Sequence, residues 1–217
     1  VTAVFGGGGA KAAAQIGALR ALEEAGLRPT RYVGTSMGGV IAAGAASGAS
    51  ADELSRRFRA VKVREVARPR AFTPIAGLWF PSLLRPEPLR ETIGRLVPER
   101  EFAELAAPLT LTAVDVDTRE LLTLGDGGLQ MPLLDALAAT TALPVYYPPA
   151  EVGGRRLVDG GLRAVLPLDI AAGFPADLVV AVDVGPGFDE PAPKRKLRGP
   201  GLLLAHDPAV EVGLHVE

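Results

Sequence analysis

The sequence predicts an α/β fold with a mostly parallel central sheet flanked by helices. Two observations favour this class. The first is a pair of strand–turn–helix units within residues 1–46, an order typical of parallel sheets. The second is the continuous apolar run "LVVAVDV" at 178–184, which has the composition of a strand buried on both faces. A chain of 217 residues is long enough for one domain with a substantial core, so we expect a single domain over 1–217.

The first strand–turn–helix unit begins at the first residue. Val1–Phe5 is a short β-branched and apolar run ended by glycine, which predicts a buried strand. Gly6–Gly9 then form a loop. Ala10–Ala25 is rich in helix formers with apolar residues at spacings of three, and Gly26 follows as a C-cap. The order is therefore strand, glycine loop, helix.

The second unit repeats the pattern with a tighter turn. Tyr32 and Val33 begin a strand that breaks at Gly34, and Met37–Ala46 is a run of small apolar residues typical of a buried helix.

A helix beginning at Ser50 should follow, because Ser50 and Glu53 have the spacing of a capping box. Residues 66–100 then change character: they are rich in proline and predict a loop-rich cap or a short helical excursion. The other predicted elements alternate strands, a helix and loops along the rest of the chain. They are the antiparallel strands Leu109–Val116 and Glu120–Leu124, the helix Leu133–Thr141, a hairpin at 150–158, the strand Leu178–Val184, a basic and mobile loop at 190–204, and an edge strand Ala209–Val216.

Composition excludes several classes of protein. The net charge of -2 gives no general attraction to nucleic acid. The chain has no cysteine and only two histidines, both near the C-terminus, so we expect neither a metal centre nor another cofactor. The apolar runs are shorter than a membrane span and the chain starts on a strand instead of a signal peptide. These features predict a cytoplasmic location.

The glycine loop resembles two phosphate-binding motifs and satisfies neither. A P-loop requires glycine before its lysine and serine or threonine after it, whereas Lys11 lies between Ala10 and Ala12. Gly7-x-Gly9-x-x-Ala12 matches the dinucleotide fingerprint, but the second strand lacks the acidic residue that would hold the ribose. The loop therefore needs another interpretation.

That interpretation comes from the next turn, "GTSMG" at 34–38, which has the pattern G-x-S-x-G where a strand passes into a helix. Gly34 and Gly38 are needed because this sharp turn brings neighbouring backbones together. Ser36 is lifted above the edge of the sheet, at a helix N-terminus that favours developing negative charge. Ser36 is thus a candidate nucleophile, and the free amides of the glycine loop are candidates for binding one anionic oxygen.

Asp159 is the better candidate for the base. It ends an apolar run and is followed by Gly160 and Gly161, and partial burial would raise its pKa and make it a stronger base. An ordinary turn is the simpler alternative for these three residues. A triad through His206 would imitate an α/β-hydrolase, but that fold places several strands before its nucleophile, whereas one strand precedes Ser36.

Taken in order, "GGGGAKA" at 6–12, "GTSMG" at 34–38 and "DGG" at 159–161 resemble the patatin-like phospholipase family, and residues 139–171 resemble that family's approach to its aspartate. The resemblance implies a three-layer α/β/α fold and a Ser36–Asp159 dyad without a metal. It also implies an oxyanion hole made by the amides of three glycines and a basic residue after them. Those residues are Gly7, Gly8, Gly9 and Lys11. The chain differs from the family's usual pattern at Ala12, Gln15 and Ala164.

The expected function is hydrolysis of lipid acyl esters, of the phospholipase A, lysophospholipase or esterase type. An acyltransferase using the same acyl-serine, and a catalytically silent lipid-binding protein, are the alternatives. The expected partner is a lipid or acyl-ester substrate, with transient contact to a membrane surface as an option. Apolar residues of the 72–84 segment could line an acyl pocket, touch that surface or form ordinary core; they include Phe72, Leu78, Trp79 and Phe80.

Overall fold

A computed structural model describes residues 1–69 and 82–185, together with the backbone of two short strands at 201–205 and 215–216. Within these residues the strands form a single nine-stranded sheet. The strands are β1 (Thr2–Phe5), β2 (Arg31–Gly34), β3 (Leu109–Asp115), β4 (Leu121–Gly125), β5 (Ala150–Val152), β6 (Arg155–Asp159), β7 (Val179–Asp183), β8 (Gly201–Ala205) and β9 (His215–Val216).

The described helices lie between these strands. They are α1 (Gln15–Glu24), α2 (Ser36–Ala46), α3 (Ala51–Arg59), α4 (Val63–Val66), α5 (Pro86–Leu96), α6 (Leu133–Thr140) and α7 (Leu168–Ala171). Short 3-10 helices cover Gly9–Ala14, Phe102–Glu104 and Gly160–Leu162. None of the helices in the described part of the chain is both long enough and apolar enough to cross a membrane.

The centre of the sheet is parallel. β1 pairs with β2 on one side and β7 on the other, β2 pairs with β3, and β7 pairs with β8, all in parallel. Antiparallel pairs extend the sheet: β4 and β6 pair with β3, β5 with β6, and β9 with β8. This arrangement places the carboxyl ends of β1 and β2 next to each other, where parallel sheets bind their ligands.

The register of β3 explains how the second half of the chain returns to that edge. Leu111 pairs with Gly34 of β2 and also with β4, while Ala113 pairs with Asp159 of β6 and also with β4. Because β4 occupies one edge of β3 throughout, β2 and β6 must share the other edge. They are antiparallel to each other, so the end of β2 faces the end of β6 across one residue of β3.

Helices cover both faces of the sheet, in three layers. Alternation along β1 directs Ala3 and Phe5 into the large hydrophobic cluster beneath α1, α2, α5 and α6, and Val4 into a smaller cluster on the opposite face. Leu166 and Ala171 cover that smaller cluster. The predicted three-layer α/β/α fold is thus confirmed, with one thick helical layer and one thin one.

Most predicted elements appear within a few residues of their expected ends. The helix predicted from Ala10 starts as a 3-10 helix at Gly9, and the Ser50 hydroxyl accepts the Glu53 amide at 3.2 Å as the capping box requires. The hairpin around residues 150–158 is formed by β5 and β6.

The 66–100 segment was predicted as a loop-rich cap or a short helical excursion, and its described part contains the eleven-residue helix α5. This helix can begin at Pro86 because proline lacks only an amide that the first turn leaves unpaired in any case. One other expectation needs correction. Residues 201–204, predicted as part of a mobile loop, belong to β8, which pairs in parallel with β7. The remainder of that loop, most of the predicted strand Ala209–Val216, and residues 70–81 lie outside the described residues.

Candidate active site

The turn between β2 and α2 holds Ser36 in a strained conformation. Its φ of 55° lies in the left-handed region, which costs a non-glycine residue roughly 1–2 kcal/mol. The flanking glycines are there because nothing larger fits. A Cβ on Gly38 would lie 2.2 Å from the Gly6 carbonyl oxygen, and a Cβ on Gly34 would lie 2.6 Å from the Cα of Gly39. The turn is therefore compressed against both the glycine loop and its own helix.

Threonine hydroxyls fix the turn from outside. The Ser36 amide, which begins α2 and has no partner in that helix, donates to Thr140 Oγ1 at 2.8 Å. The hydroxyls of Thr35 and Thr112 lie 2.7 Å apart in a buried hydrogen bond that joins the turn to β3. Both threonine contacts come from elements far along the chain.

Asp159 faces Ser36 at the end of β6. The Ser36 hydroxyl donates to Asp159 Oδ2 at 2.6 Å, and the Gly161 amide donates to Oδ1 at 2.7 Å. Asp159 is only 2% exposed, and its own amide donates to the Ala142 carbonyl at 3.0 Å. A Cβ on Gly160 would lie 2.2 Å from Thr112 Oγ1, so the loop after Asp159 packs directly on β3. Two hydrogen bonds therefore hold the carboxylate, and the backbone around it is fixed by Ala142 and β3.

Burial raises the pKa of the Asp159 carboxyl above its ordinary value, while the hydrogen bonds from Ser36 and Gly161 favour the ionised form and offset part of that rise. The direction agrees with the expectation from the sequence. A carboxylate with a raised pKa that accepts a hydrogen bond from a hydroxyl is suited to take the proton of that hydroxyl.

The glycine loop lies against the turn that holds Ser36: a Cβ on Gly7 would lie 3.3 Å from Ser36 Cβ. The Gly6 carbonyl accepts from Gln15 Nε2 at 2.6 Å, which ties the loop to the first residue of α1. The structure differs from the sequence prediction at Gly7, whose amide donates to the Val165 carbonyl at 2.8 Å. The amides of Gly8 and Gly9, by contrast, donate to no acceptor in the described part of the chain.

Lys11 and Ala12, which follow the glycine loop, lie in different environments. Lys11 is exposed on the 3-10 helix and is not among the described residues that line the cavity above Ser36. Ala12 is fully buried in the large hydrophobic cluster. Burial in this cluster explains why position 12 carries a small apolar side chain.

A cavity of about 690 Å³ opens over Ser36 and Asp159. One wall is the helical stretch Gly9–Arg20, and the other is built from apolar side chains of α3, the segment that follows it, and α5. Those side chains include Phe58, Val61, Val66, Leu89, Ile93 and Leu96. The aromatic residues predicted to line an acyl pocket, Phe72, Trp79 and Phe80 with Leu78, lie outside the described residues.

Among the residues that the structure describes, no group of three His, Cys, Asp or Glu side chains is placed to hold a metal ion. His206, the alternative base considered from the sequence, lies outside those residues.

Comparison with known proteins agrees with the order of the three motifs. The family model described as "Patatin-like phospholipase" matches residues 3–172, which include the glycine loop, Ser36 and Asp159. The chain belongs to the patatin-like phospholipase family. Its match to that family covers the whole of the site described above.

Relatives of this patatin-like chain are much longer proteins. It is 31% identical over 189 residues to human patatin-like phospholipase domain-containing protein 6, covering 85% of the chain and 13% of the relative. It is also 31% identical over 192 residues to an uncharacterised NTE family protein of Mycobacterium tuberculosis, covering 88% of the chain and 51% of that protein. The chain thus spans between an eighth and a half of the relatives it matches.

Solved structures share the fold at low identity. VipD from Legionella pneumophila aligns with a TM-score of 0.56 and 14% identity, covering 87% of this chain and 50% of that one. ExoU from Pseudomonas aeruginosa, in complex with SpcU, aligns with a TM-score of 0.52 and 17% identity, covering 98% and 45%. These likenesses support the patatin-like fold.

Several residues of the site were not found from the sequence. Thr112 and Thr140 gave no signal, because a single hydroxyl in an apolar run has no local pattern. Leu89, Ile93 and Leu96 on α5 do have one, since they recur at spacings of four and three, but the many prolines of residues 66–100 left a loop-rich cap and a short helical excursion both open. The apolar spacing of these residues is therefore the signal that could have indicated the α5 wall of the cavity.

Proposed function

We propose that this patatin-like chain hydrolyses acyl esters of lipids, with Ser36 as nucleophile and Asp159 as base. The observation that carries the proposal is the 2.6 Å hydrogen bond from Ser36 Oγ to Asp159 Oδ2 at the floor of an apolar cavity. Acyl transfer through an acyl-serine needs a nucleophilic hydroxyl and a base that takes its proton, and a buried carboxylate hydrogen-bonded to the hydroxyl can be that base.

The first step transfers the Ser36 proton to Asp159 as Ser36 Oγ bonds to the ester carbonyl carbon. Asp159 then returns this proton to the alcohol oxygen of the substrate, the bond from carbonyl carbon to that oxygen breaks, and an acyl-serine remains. In the second step Asp159 takes a proton from water as the water oxygen bonds to the acyl carbon. The bond from that carbon to Ser36 Oγ then breaks, Asp159 gives the proton to Ser36 Oγ, and the fatty acid leaves.

Negative charge on the carbonyl oxygen in both steps needs hydrogen-bond donors that are not already used. We assign this role to the amides of Gly8 and Gly9, since the Gly7 amide donates to Val165. The N-terminus of α2, which begins at Ser36, adds a favourable dipole. Removing one such donor typically lowers kcat about 100- to 1,000-fold.

Lipid substrates suit the cavity because its walls are mainly alanine, glycine and large aliphatic side chains. Burial of apolar surface contributes roughly 25 cal/mol per Å², so an acyl chain gains more from this cavity than a polar ester does. The membership of the patatin-like phospholipase family supports the same class of substrate.

A panel of phospholipids, lysophospholipids and simple esters, read by mass spectrometry of released fatty acid, tests the proposal. We expect release by the wild-type chain and loss of release in Ser36→Ala and Asp159→Asn. Ser47→Ala is the matched control, because Ser47 lies at the far end of α2 and its hydroxyl donates to the Gly44 carbonyl.

Adding an acceptor alcohol to the same panel distinguishes hydrolysis from acyl transfer: transesterified product exceeding fatty acid would make the chain an acyltransferase. Release that persists undiminished in Ser36→Ala would refute the proposed nucleophile. Lipid binding without turnover by the wild-type chain would make it a silent binding protein.

A further inference from the structure

The wall of the catalytic cavity formed by the first helix is built mainly from small residues. Between Gly9 and Arg20, the residues that line the cavity are glycines, alanines and one isoleucine. Gly17 lies in this wall, is exposed, and would carry a Cβ with no atom of the described residues within 4 Å apart from its chain neighbours and the backbone of its own helix. A side chain added at this position would therefore project into the cavity and not into the protein.

The wall is also continuous. Residues 9–24 form one continuous helical stretch, 3-10 over Gly9–Ala14 and α over Gln15–Glu24, and Ala14 at the junction has φ -63° and ψ -26°. With rises of about 2.0 Å per residue in a 3-10 helix and 1.5 Å in an α-helix, Gly17 lies roughly 12–15 Å along the axis from Gly9. Gly9 is beside the reacting carbonyl in the proposed mechanism, so this distance measures how far an acyl chain extends before it passes Gly17.

The opposite wall is mainly apolar. Phe58, Leu89, Ile93 and Leu96 line it, and Ser55, Arg59 and Thr92 are its polar residues. The first charged side chain on the helical wall is Arg20, one turn beyond Gly17, whose guanidinium pairs with Asp52 at 2.5 Å. The two walls therefore border a mainly apolar channel that starts at Ser36 and ends near Arg20.

We propose that this channel holds the acyl chain of the substrate, and that Gly17 sets the preference for chains longer than about ten carbons. This inference rests on the proposed acyl hydrolase function. An extended chain advances about 3.5 Å per three bonds, or roughly 1.2 Å per bond, so about ten to twelve bonds separate the ester carbonyl from Gly17. Shorter chains end before Gly17, whereas longer chains pass over it in the space that a side chain would fill.

Replacing Gly17 by leucine tests the inference with little risk to folding. A glycine inside a helix costs about 0.5–1 kcal/mol relative to alanine, so a larger helix former should maintain or raise the Tm. Ala21→Leu is the matched control, since Ala21 is exposed on the same helix and does not line the cavity.

The measurement is kcat/KM for p-nitrophenyl esters from four to sixteen carbons, dispersed in the same detergent. Each buried methylene contributes about fourfold to binding, so loss of the three or four methylenes beyond Gly17 should lower kcat/KM for the sixteen-carbon ester about 50- to 250-fold in Gly17→Leu. The four-carbon and eight-carbon esters should be hydrolysed at wild-type rates, and Ala21→Leu should match the wild type at every length.

Binding of the corresponding fatty acids to Ser36→Ala, by displacement of a fluorescent fatty acid, gives a second readout that needs no turnover. Adding Gly17→Leu should weaken binding of the sixteen-carbon acid and leave that of the eight-carbon acid unchanged.

A reduction by Gly17→Leu that is equal at all chain lengths, or no reduction at all, would overturn the inference while leaving the hydrolase standing. Wild-type protein that hydrolyses none of these esters would instead refute the proposed function. In that case, chain-length selection in the binding assay would still decide whether the channel accepts acyl chains.

Discussion

Alanine at position 38 tests the close approach on which the site depends. Its Cβ would lie 2.2 Å from the carbonyl oxygen of Gly6 and 2.7 Å from that of Phe5, and both atoms belong to backbone. Real Cβ contacts essentially never fall below 3.0 Å, so the turn and the glycine loop must separate by 0.8 Å, the difference between 2.2 and 3.0 Å. No side-chain rotation can absorb that movement.

This separation should affect both stability and rate. Overpacking lowers the free energy of unfolding by about 1–3 kcal/mol, and the better helix propensity of alanine offsets part of that loss. Each kcal/mol shifts the Tm of a domain this size by about 2–4 °C. Misplacement of reacting groups by about 1 Å costs roughly 100-fold in rate. We therefore expect Gly38→Ala to lower the Tm by several degrees and kcat/KM about 100-fold.

The assay is hydrolysis of p-nitrophenyl butyrate together with thermal unfolding. Gly44→Ala is the control, because the same substitution on the same helix would meet the tip of the Leu54 side chain and not the backbone of the glycine loop. Wild-type activity and an unchanged Tm in Gly38→Ala would refute the packing of the Ser36 turn on the glycine loop.

Three further predictions follow from the hydrogen bonds of the site. Asp159 must be ionised to accept a proton, so activity should be present above its raised pKa and lost as pH falls through it; an acid limb of kcat/KM at or below the ordinary value of 3.8 would contradict this. Gln15→Leu removes the donor to the Gly6 carbonyl, and leaving that buried carbonyl unpaired costs about 1–3 kcal/mol. In steady-state kinetics we expect this cost to lower kcat more than it raises KM. An unchanged kcat would mean that Gln15 does not position the loop. Thr140→Val leaves the Ser36 amide without its acceptor and should lower the free energy of unfolding in urea by about 1–3 kcal/mol, whereas Thr140→Ser should restore it. Equal stability of the two variants would mean that the Thr140 hydroxyl does not stabilise the turn.

The local features of the site could be predicted from the sequence because each is a short backbone motif. G-x-S-x-G requires close approach on both sides of Ser36, and the structure has it at Gly34 and Gly38. The strands β1, β2 and β7 could be predicted for a similar reason, since each is a short apolar run with glycine or charge at its end.

The long-range features could not be derived from local patterns of residues. The pairing of Asp159 with Ser36 was expected only from the family resemblance, because it depends on β6 sharing an edge of β3 with β2, which is a matter of register between strands far apart in the chain. The partner of the Gly7 amide, Val165, is equally remote, so all three glycine amides looked free.

Two local features of the sequence were given too little weight. The apolar spacing on α5 indicates a helix, and its prolines are compatible with one because proline is common in the first turn of a helix. The apolar run at 201–205 was joined to the basic loop before it, although it pairs with β7 as a strand.

Covalent labelling with a fluorophosphonate, followed by intact-protein mass spectrometry and peptide mapping, tests the central claim that Ser36 is a nucleophile activated by Asp159. We predict one adduct on the wild-type chain, located at Ser36, none at that position in Ser36→Ala, and much slower labelling of Asp159→Asn. Labelling at another residue, or labelling of Asp159→Asn at the wild-type rate, would contradict the claim.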